Sequence, residues 1–308
     1  MEAQPAGSLL SFLAAVPDPR SRHGRQHPLA AILALVCCAI MCGAKGYTAI
    51  AQWARDQDIG LMHRLGFTRK PPKMGGIRKV LIALNPKAFE DALYRWAESL
   101  LGRPVSSESL SLEAFAIDGK TARGSFDGLE KPVHLLSLLA HESGLTLAQT
   151  RVPNGGENKT NEHKTALQLL RGIVLEGRLV SGDAMFCQRD LSQQIIDAHG
   201  HYLWFVKDNQ PTLVNTSVPR QLGSASRLLI WGRGHWSIEN RSHYVRDVTL
   251  GEDASRIRKG SGPEIMAALR NAAVGSLRLT GATNIAETIR RNASQVRALF
   301  TKLGILNQ

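Results

Sequence analysis

Three acids are placed where carboxylate chemistry could be done. Asp118 closes an alternating apolar stretch, Glu113–Asp118 (EAFAID), and is followed by Gly119. Asp183 follows Gly182 at the end of a second strand-like stretch, Arg178–Ser181 (RLVS). Glu239 lies in a helix-forming segment with His235 four residues before it, His243 four after and Arg246 seven after. On an α-helix that spacing puts all four on one face. Acids at the carboxyl ends of strands stand where open α/β sheets gather ligand groups. An aspartate beside a glycine also serves turns, and Glu239 with its bases also fits a plain i,i+4 pair worth about 0.2–0.5 kcal/mol. Together, the three acids make a cage of hard oxygen ligands. That cage suits Mg²⁺ or Mn²⁺ and not zinc, because no Cys or His joins it at ligand spacing. Two such ions can polarise a phosphodiester and activate a water or a 3′-hydroxyl. His243 and Arg246 would then stand where the phosphate's charge develops. Lys120 and Arg123, just after Asp118, fit phosphate contacts and solvated loop charges equally well.

Acids so distant in the chain need a sheet to bring them together. Glu113–Asp118, Val133–Leu139, Leu145–Val152, Arg178–Ser181 and Tyr202–Val206 read as strands, with helices at Asn161–Leu170 and Asp190–His199. The order β-β-β-α-β-α-β predicts a mixed sheet, its first three strands antiparallel and the others joined by crossovers. A helix is expected from Trp231, and two amphipathic helices over 263–278 and 284–304. Before the sheet, residues 29–56 and 60–101 read as helices, with Gly43 and Gly46 marking a break. The organisation predicted is a helical N-terminal domain over 1–110, linked at Ser106–Glu108, a core over 111–262 and a helical tail over 263–308.

Composition narrows the partners. The 308 residues carry a formal charge of +12, distributed as +6 over 1–110, −2 over 111–210 and +8 over 211–308. Basic flanks around an acidic middle suit a protein that grips phosphates and keeps carboxylates for a cation, and charge alone fits the solvated surface of a basic protein equally well. Four cysteines cannot build a disulfide framework, which points to a reducing cytosol. The most apolar run, Leu29–Cys42, is shorter than the roughly 20 residues of a spanning helix, so no membrane partner is expected.

At the level of motifs the chain resembles the H-repeat-associated, ISAs-type insertion-sequence transposases, within the DDE group whose core is RNase-H-like. The stretches that carry the resemblance include FAIDGKTARGS (115–125), NEHKTALQLL (161–170), GDAMFCQRDL (182–191), LWFVKDNQPTL (203–213) and GHWSIENRSHYVRDV (234–248). The resemblance implies a DNA transposase that cleaves transposon ends and transfers strands to target DNA. It implies Asp118, Asp183 and Glu239 as catalytic metal ligands, two Mg²⁺ or Mn²⁺ ions, double-stranded DNA as partner and a nucleoid-associated, cytoplasmic location. Synapsis of two ends would require at least a homodimer. Arg246 would assist Glu239, with Lys120, Arg123 and His243 at the DNA. The chain departs from the pattern at Phe186, where a His is usual, and at Gly232 and His235, where the wider group has Tyr and Arg. A long insertion is shortened here to a stretch near 208–230, so a catalytically inactive copy that still binds transposon ends is the alternative.

Overall fold

The computed structural model describes residues 9–101, 112–129, 131–153, 161–206 and 225–306. The expected link at Ser106–Glu108 and residues 208–224 of the shortened stretch, with Asn209 and Gln210, lie outside the described residues. The chain divides into two compact units: Gly102–Lys120 with His134–His243, and Met1–Leu101 with Thr121–Val133 and Tyr244–Gln308.

The first of these units holds the expected mixed five-stranded sheet. Its strands are β1 (Glu113–Ala122), β2 (Val133–Ala140), β3 (Thr146–Val152), β4 (Arg178–Gly182) and β5 (His201–Trp204), in the order β3-β2-β1-β4-β5. β2 and β3 are antiparallel, whereas β4 runs parallel to both β1 and β5. Every residue of β4 is buried, as its central place requires, Arg178 and Ser181 included. One cross-strand ion pair marks the β1–β4 register: Arg178 stands opposite Glu113 and donates from Nε to its Oε2 at 3.0 Å. The same guanidinium is fully buried, lies 5.3 Å over the Phe115 ring and donates to the Val174 carbonyl.

Helices α7 (Asn161–Leu170) and α8 (Arg189–Asp197) pack beside β3 and β5. A longer helical run starts at Ala225, six residues before the expected Trp231. It consists of α9 (Ala225–His235) and a π turn over Glu239–His243. Its docking is apolar: Trp231 packs with Ala114 and Leu179, and Ile238 with Ala116 and Leu139. Alternation along β1 then places Asp118 on the face already occupied by Ala114 and Ala116.

The second unit is helical, with α1 (Leu9–Leu13), α2 (Leu29–Met41), α3 (Tyr47–Asp56), α4 (Ile59–Arg64), α5 (Met74–Ala83), α6 (Pro86–Leu100), α10 (Gly262–Leu279), α11 (Ile285–Ser294) and α12 (Val296–Lys302). α2 and α10 pack together as its centre. The expected tail over 263–308 therefore belongs to the same unit as the N-terminal helices. Every residue from Gly262 to Leu277 is buried, not one amphipathic face. Ala267, Ala268, Ala272, Ala273 and Gly275 keep that helix thin enough for close packing on all sides. No described helix is long and apolar enough to cross a membrane.

Two arginines share one carboxylate in this unit. Glu252 accepts from Arg246 Nε at 3.1 Å and from Arg270 Nη1 at 3.1 Å, and all three side chains are almost wholly buried. Burial pulls the Arg270 pKa down, opposed by the Glu252 charge. Removing one member of a buried ion set strands the others, at a cost of about 3–5 kcal/mol. Glu252→Ala should therefore lower stability by about that amount in urea denaturation followed by tryptophan fluorescence. An unchanged midpoint would show that the triad is not structural.

Candidate active site

The parallel ladder sets the first two acids level. β1 and β4 are in register to Ala116↔Ser181, and Asp118 and Asp183 each stand two residues further on. The glycines beside them are there for space rather than for a turn. Neither has a positive φ, and β1 continues through Gly119 to Ala122. A Cβ on Gly119 would lie 2.6 Å from His134 Nε2 and 2.7 Å from Glu162 Oε2. A Cβ on Gly182 would meet Trp204, Phe186 and Ile117 at 2.8–3.0 Å. The turn reading of these pairs is thereby replaced by close packing.

The third acid arrives from the helical run. His243 Nδ1 is 3.3 Å from Glu239 Oε2 and 3.6 Å from Asp118 Oδ2. One ligand atom from each of Asp118, Glu239 and His243 lies within 4.8 Å of the others. The side chains grade from interior to solvent, at 7% exposure for His243, 26% for Asp118 and 52% for Glu239. His243, expected at the DNA phosphates and not among the metal ligands, stands between the two acids instead. Asp183 is not one of these three: its Oδ1 accepts from the Met185 amide at 3.0 Å and caps the short turn Ala184–Phe186. It remains near enough for its charge to act on Asp118.

The Asp118 carboxyl is pushed up to about 7. Burial is the main cause, and the Gly119 amide, donating to Oδ1 at 2.8 Å, opposes it. The negative charges of Glu239, Glu162 and Asp183 raise it further. Glu162 was not marked by the sequence as a group near the acids. It lies in the first turn of α7 and pairs with His134 of β2 at 2.6 Å, a contact spanning 28 residues that no local pattern announces.

Two further groups hold the helical run against the sheet. Arg241 donates to the carbonyls of His141 and Glu142 at 2.7 Å and of Ser143 at 3.2 Å, gripping the β2–β3 turn. Ser181 Oγ donates to the Phe115 carbonyl at 2.9 Å and contacts His141 Nε2 at 3.0 Å and His235 Nδ1 at 3.2 Å. A hydroxyl has one proton, so both imidazoles must donate to its lone pairs. His141 is therefore the Nε2–H tautomer and His235 the Nδ1–H tautomer. Burial, then the nearby His235, lowers His141 to about 4, and burial lowers His235 as well. Both are neutral at pH 7.

The remaining expected DNA contacts divide. Arg123 is 81% exposed, 3.9 Å from Asp253. Lys120 is neither a loop residue nor solvated: it lies inside β1 and is 7% exposed. Arg246 is buried on Glu252 and does not present its guanidinium to DNA. The physical reason is the winding of the segment. Glu239–His243 and Val245–Thr249 are π turns, which close i→i+5, so seven residues no longer complete two turns as they do in an α-helix.

Residues 110–274 match the family model described as a transposase DDE domain, and residues 10–97 match that of its associated domain. The chain is 34% identical over 208 residues to YncI of Escherichia coli K12, covering 67% of this chain and 80% of the relative. To YncI of strain O157:H7 it is 28% identical over 350 residues, covering 88% and 87%. To the H repeat-associated protein YhhI of strain K12 it is 22% identical over 349 residues, covering 87% and 90%. All three carry the word transposase in their names. The alignment to O157:H7 YncI is longer than the 308-residue chain, so that relative has residues with no counterpart here. Among solved structures, a piggyBac transposase synaptic complex with hairpin DNA aligns at a TM-score of 0.43 and 10% identity, over 88% of this chain and 72% of that one, a likeness too slight to carry weight.

Two outcomes follow from this geometry. A carboxyl raised in the folded state favours folding fully below its unfolded pKa of 3.8 and loses that contribution as the pH rises through about 7. Without added metal, Asp118→Asn should raise the thermal midpoint, more at pH 8 than at pH 5. A gain independent of pH would contradict the assignment. Gly119→Ala should cost about 1–3 kcal/mol through overpacking, and less in a His134→Ala background. Equal costs in both backgrounds, by urea denaturation, would show that His134 is not the obstacle.

Proposed function

Starting from the fact that this chain belongs to the DDE transposase family, we propose that it cleaves phosphodiester bonds at the ends of a mobile DNA element and joins the freed 3′-hydroxyl to target DNA. The observation that carries the reading is the meeting of Asp118, Glu239 and His243 ligand atoms within 4.8 Å. The family implies use of a divalent metal. Two carboxylates and one imidazole fit such an ion: the oxygens suit Mg²⁺ and Mn²⁺, and the softer nitrogen favours Mn²⁺ of the two.

In this reading Asp118 and Glu239 hold the cations, two in number, with His243 as third donor. Asp183, level with Asp118 on the neighbouring strand, completes the acid set. Bound divalent ions polarise the scissile phosphodiester and favour ionisation of the attacking water or 3′-hydroxyl. Asp118 must give up its proton to bind a cation, so the raised carboxyl makes cation binding tighter as pH increases. Arg241 keeps the Glu239–His243 turn on the sheet. Arg123 is the sequence-expected cation that reaches solvent and is assigned to phosphate. The protein acts on double-stranded DNA in the cytoplasm, at the nucleoid, as at least a dimer when two ends are brought together.

A second reading has its own support. The Asp183 carboxylate caps Met185, and the O157:H7 YncI alignment exceeds this chain's length. On that reading the protein is a shortened transposase that holds element ends without cutting them. Cleavage of a labelled end duplex in Mn²⁺ or Mg²⁺ separates the two. Activity in wild type, lost by more than about 100-fold in Asp118→Asn, Asp183→Asn and Glu239→Gln, is expected, since groups one layer beyond a metal's ligands already cost roughly 10–100-fold. Tight end binding with no cleavage in either metal favours the second reading. Equal cleavage by wild type and Asp183→Asn removes Asp183 from the site.

A further inference from the structure

A carboxylate-rich site repels the phosphates that a DNA-processing protein must hold, so binding free energy has to come from cations elsewhere. Between Asp58 and Glu90 the chain has seven Lys and Arg and no acidic residue. Arg69, Lys70, Lys73, Arg78 and Lys79 are all exposed. Among the described residues none of these five forms a salt bridge. Elsewhere in the same unit exposed cations do find acids, as in Lys87–Asp91, Arg291–Glu287 and Arg297–Asp58.

The backbone beneath the five is arranged for close approach. α5 turns Ile77, Val80 and Leu81 into the unit and leaves Met74, Gly75, Gly76, Arg78 and Lys79 outside. Arg78 and Lys79 stand three and four residues after Gly75, on its side of the helix. A Cβ at Gly75 would meet nothing within 4 Å, so bare helix backbone is open to a phosphate between the two cationic side chains. Pro71 and Pro72 fix the chain between Lys70 and Lys73, which reduces the entropy lost when both engage one strand. Lys73 occupies the N-cap with no side-chain cap bond, so its chemistry adds a cation where first-turn amides already favour an anion.

We propose that the loop Arg69–Lys73 and the outer face of α5 dock the sugar–phosphate backbone of duplex DNA, without reading its sequence. The proposal rests on the transposase reading for its choice of DNA, but it concerns a surface separate from the acid site. Backbone contacts give a salt slope of about −0.9 per phosphate neutralised. The test is fluorescence anisotropy of the full chain on two unrelated 30-base-pair duplexes across a salt series. Lys73→Gln/Arg78→Gln/Lys79→Gln should flatten the slope by about 2–3, equally on both duplexes. Arg69→Gln/Lys70→Gln, which leaves the helix untouched, should flatten it by about 2. Control neutralisation of the exposed Arg95, Arg290 and Lys302 should leave it unchanged.

If wild type binds and the α5 and loop variants keep its slope, the docking surface is wrong and the transposase reading stands. The same holds if the control flattens it equally, which would make the effect one of net charge. If wild type binds no DNA even at low salt, both readings fall.

Discussion

Bringing negative groups to one point is work that the fold must do against their repulsion. The cost is visible at Asp118, whose carboxyl is raised to about 7 by burial and by Glu239, Glu162 and Asp183. Something must hold Glu239 near it, and the described structure supplies three attachments. Trp231 and Ile238 bury apolar surface on Ala114, Leu179, Ala116 and Leu139. Arg241 satisfies three carbonyls of the β2–β3 turn at once. His235 meets Ser181, one strand over from Ala116 and two residues before Asp183. Small alanines on β1 let the helical run approach, and the same face then continues to Asp118. His243 lies between the two carboxylates, 3.3 Å from Glu239 and 3.6 Å from Asp118.

The parallel strands do the other half of the positioning. Because β1 and β4 share direction and register up to Ala116↔Ser181, Asp118 and Asp183, each two residues further on, come level without any local signal between them. The opposite face of β1 carries a second arrangement. Gly119 has no side chain because His134 and Glu162 fill that volume, and Gly182 has none because Trp204, Phe186 and Ile117 do. The aspartates are therefore followed or preceded by glycine as a consequence of packing on both sides of the sheet edge.

Much of this was readable in advance where the physics is local. Alternation in EAFAID and the short run RLVS marked two strands, although β1 runs on past Asp118 to Ala122, and turn residues separated the first three strands. What stayed hidden depends on partners distant in the chain or on a change of helical winding. An α-helical period put Arg246 beside Glu239, but the segment is wound as π turns and Arg246 pairs with Glu252. His243 was set at the phosphates because i,i+4 spacing cannot show that Asp118 lies across from it. Residues 263–278 looked amphipathic because small and charged residues there hide how completely Gly262–Leu277 is buried. The Glu162–His134 pair joins two elements 28 residues apart and had no sequence signal at all.

The proposed function depends on Asp118 of β1 and Glu239 of the π turn holding a divalent cation between them. Anomalous diffraction from crystals grown with Mn²⁺ addresses it directly. A manganese peak within coordination distance of both carboxylates is the expected result. Mn²⁺ density that avoids both carboxylates while occupying other sites, or no density at saturating concentration, would contradict the account.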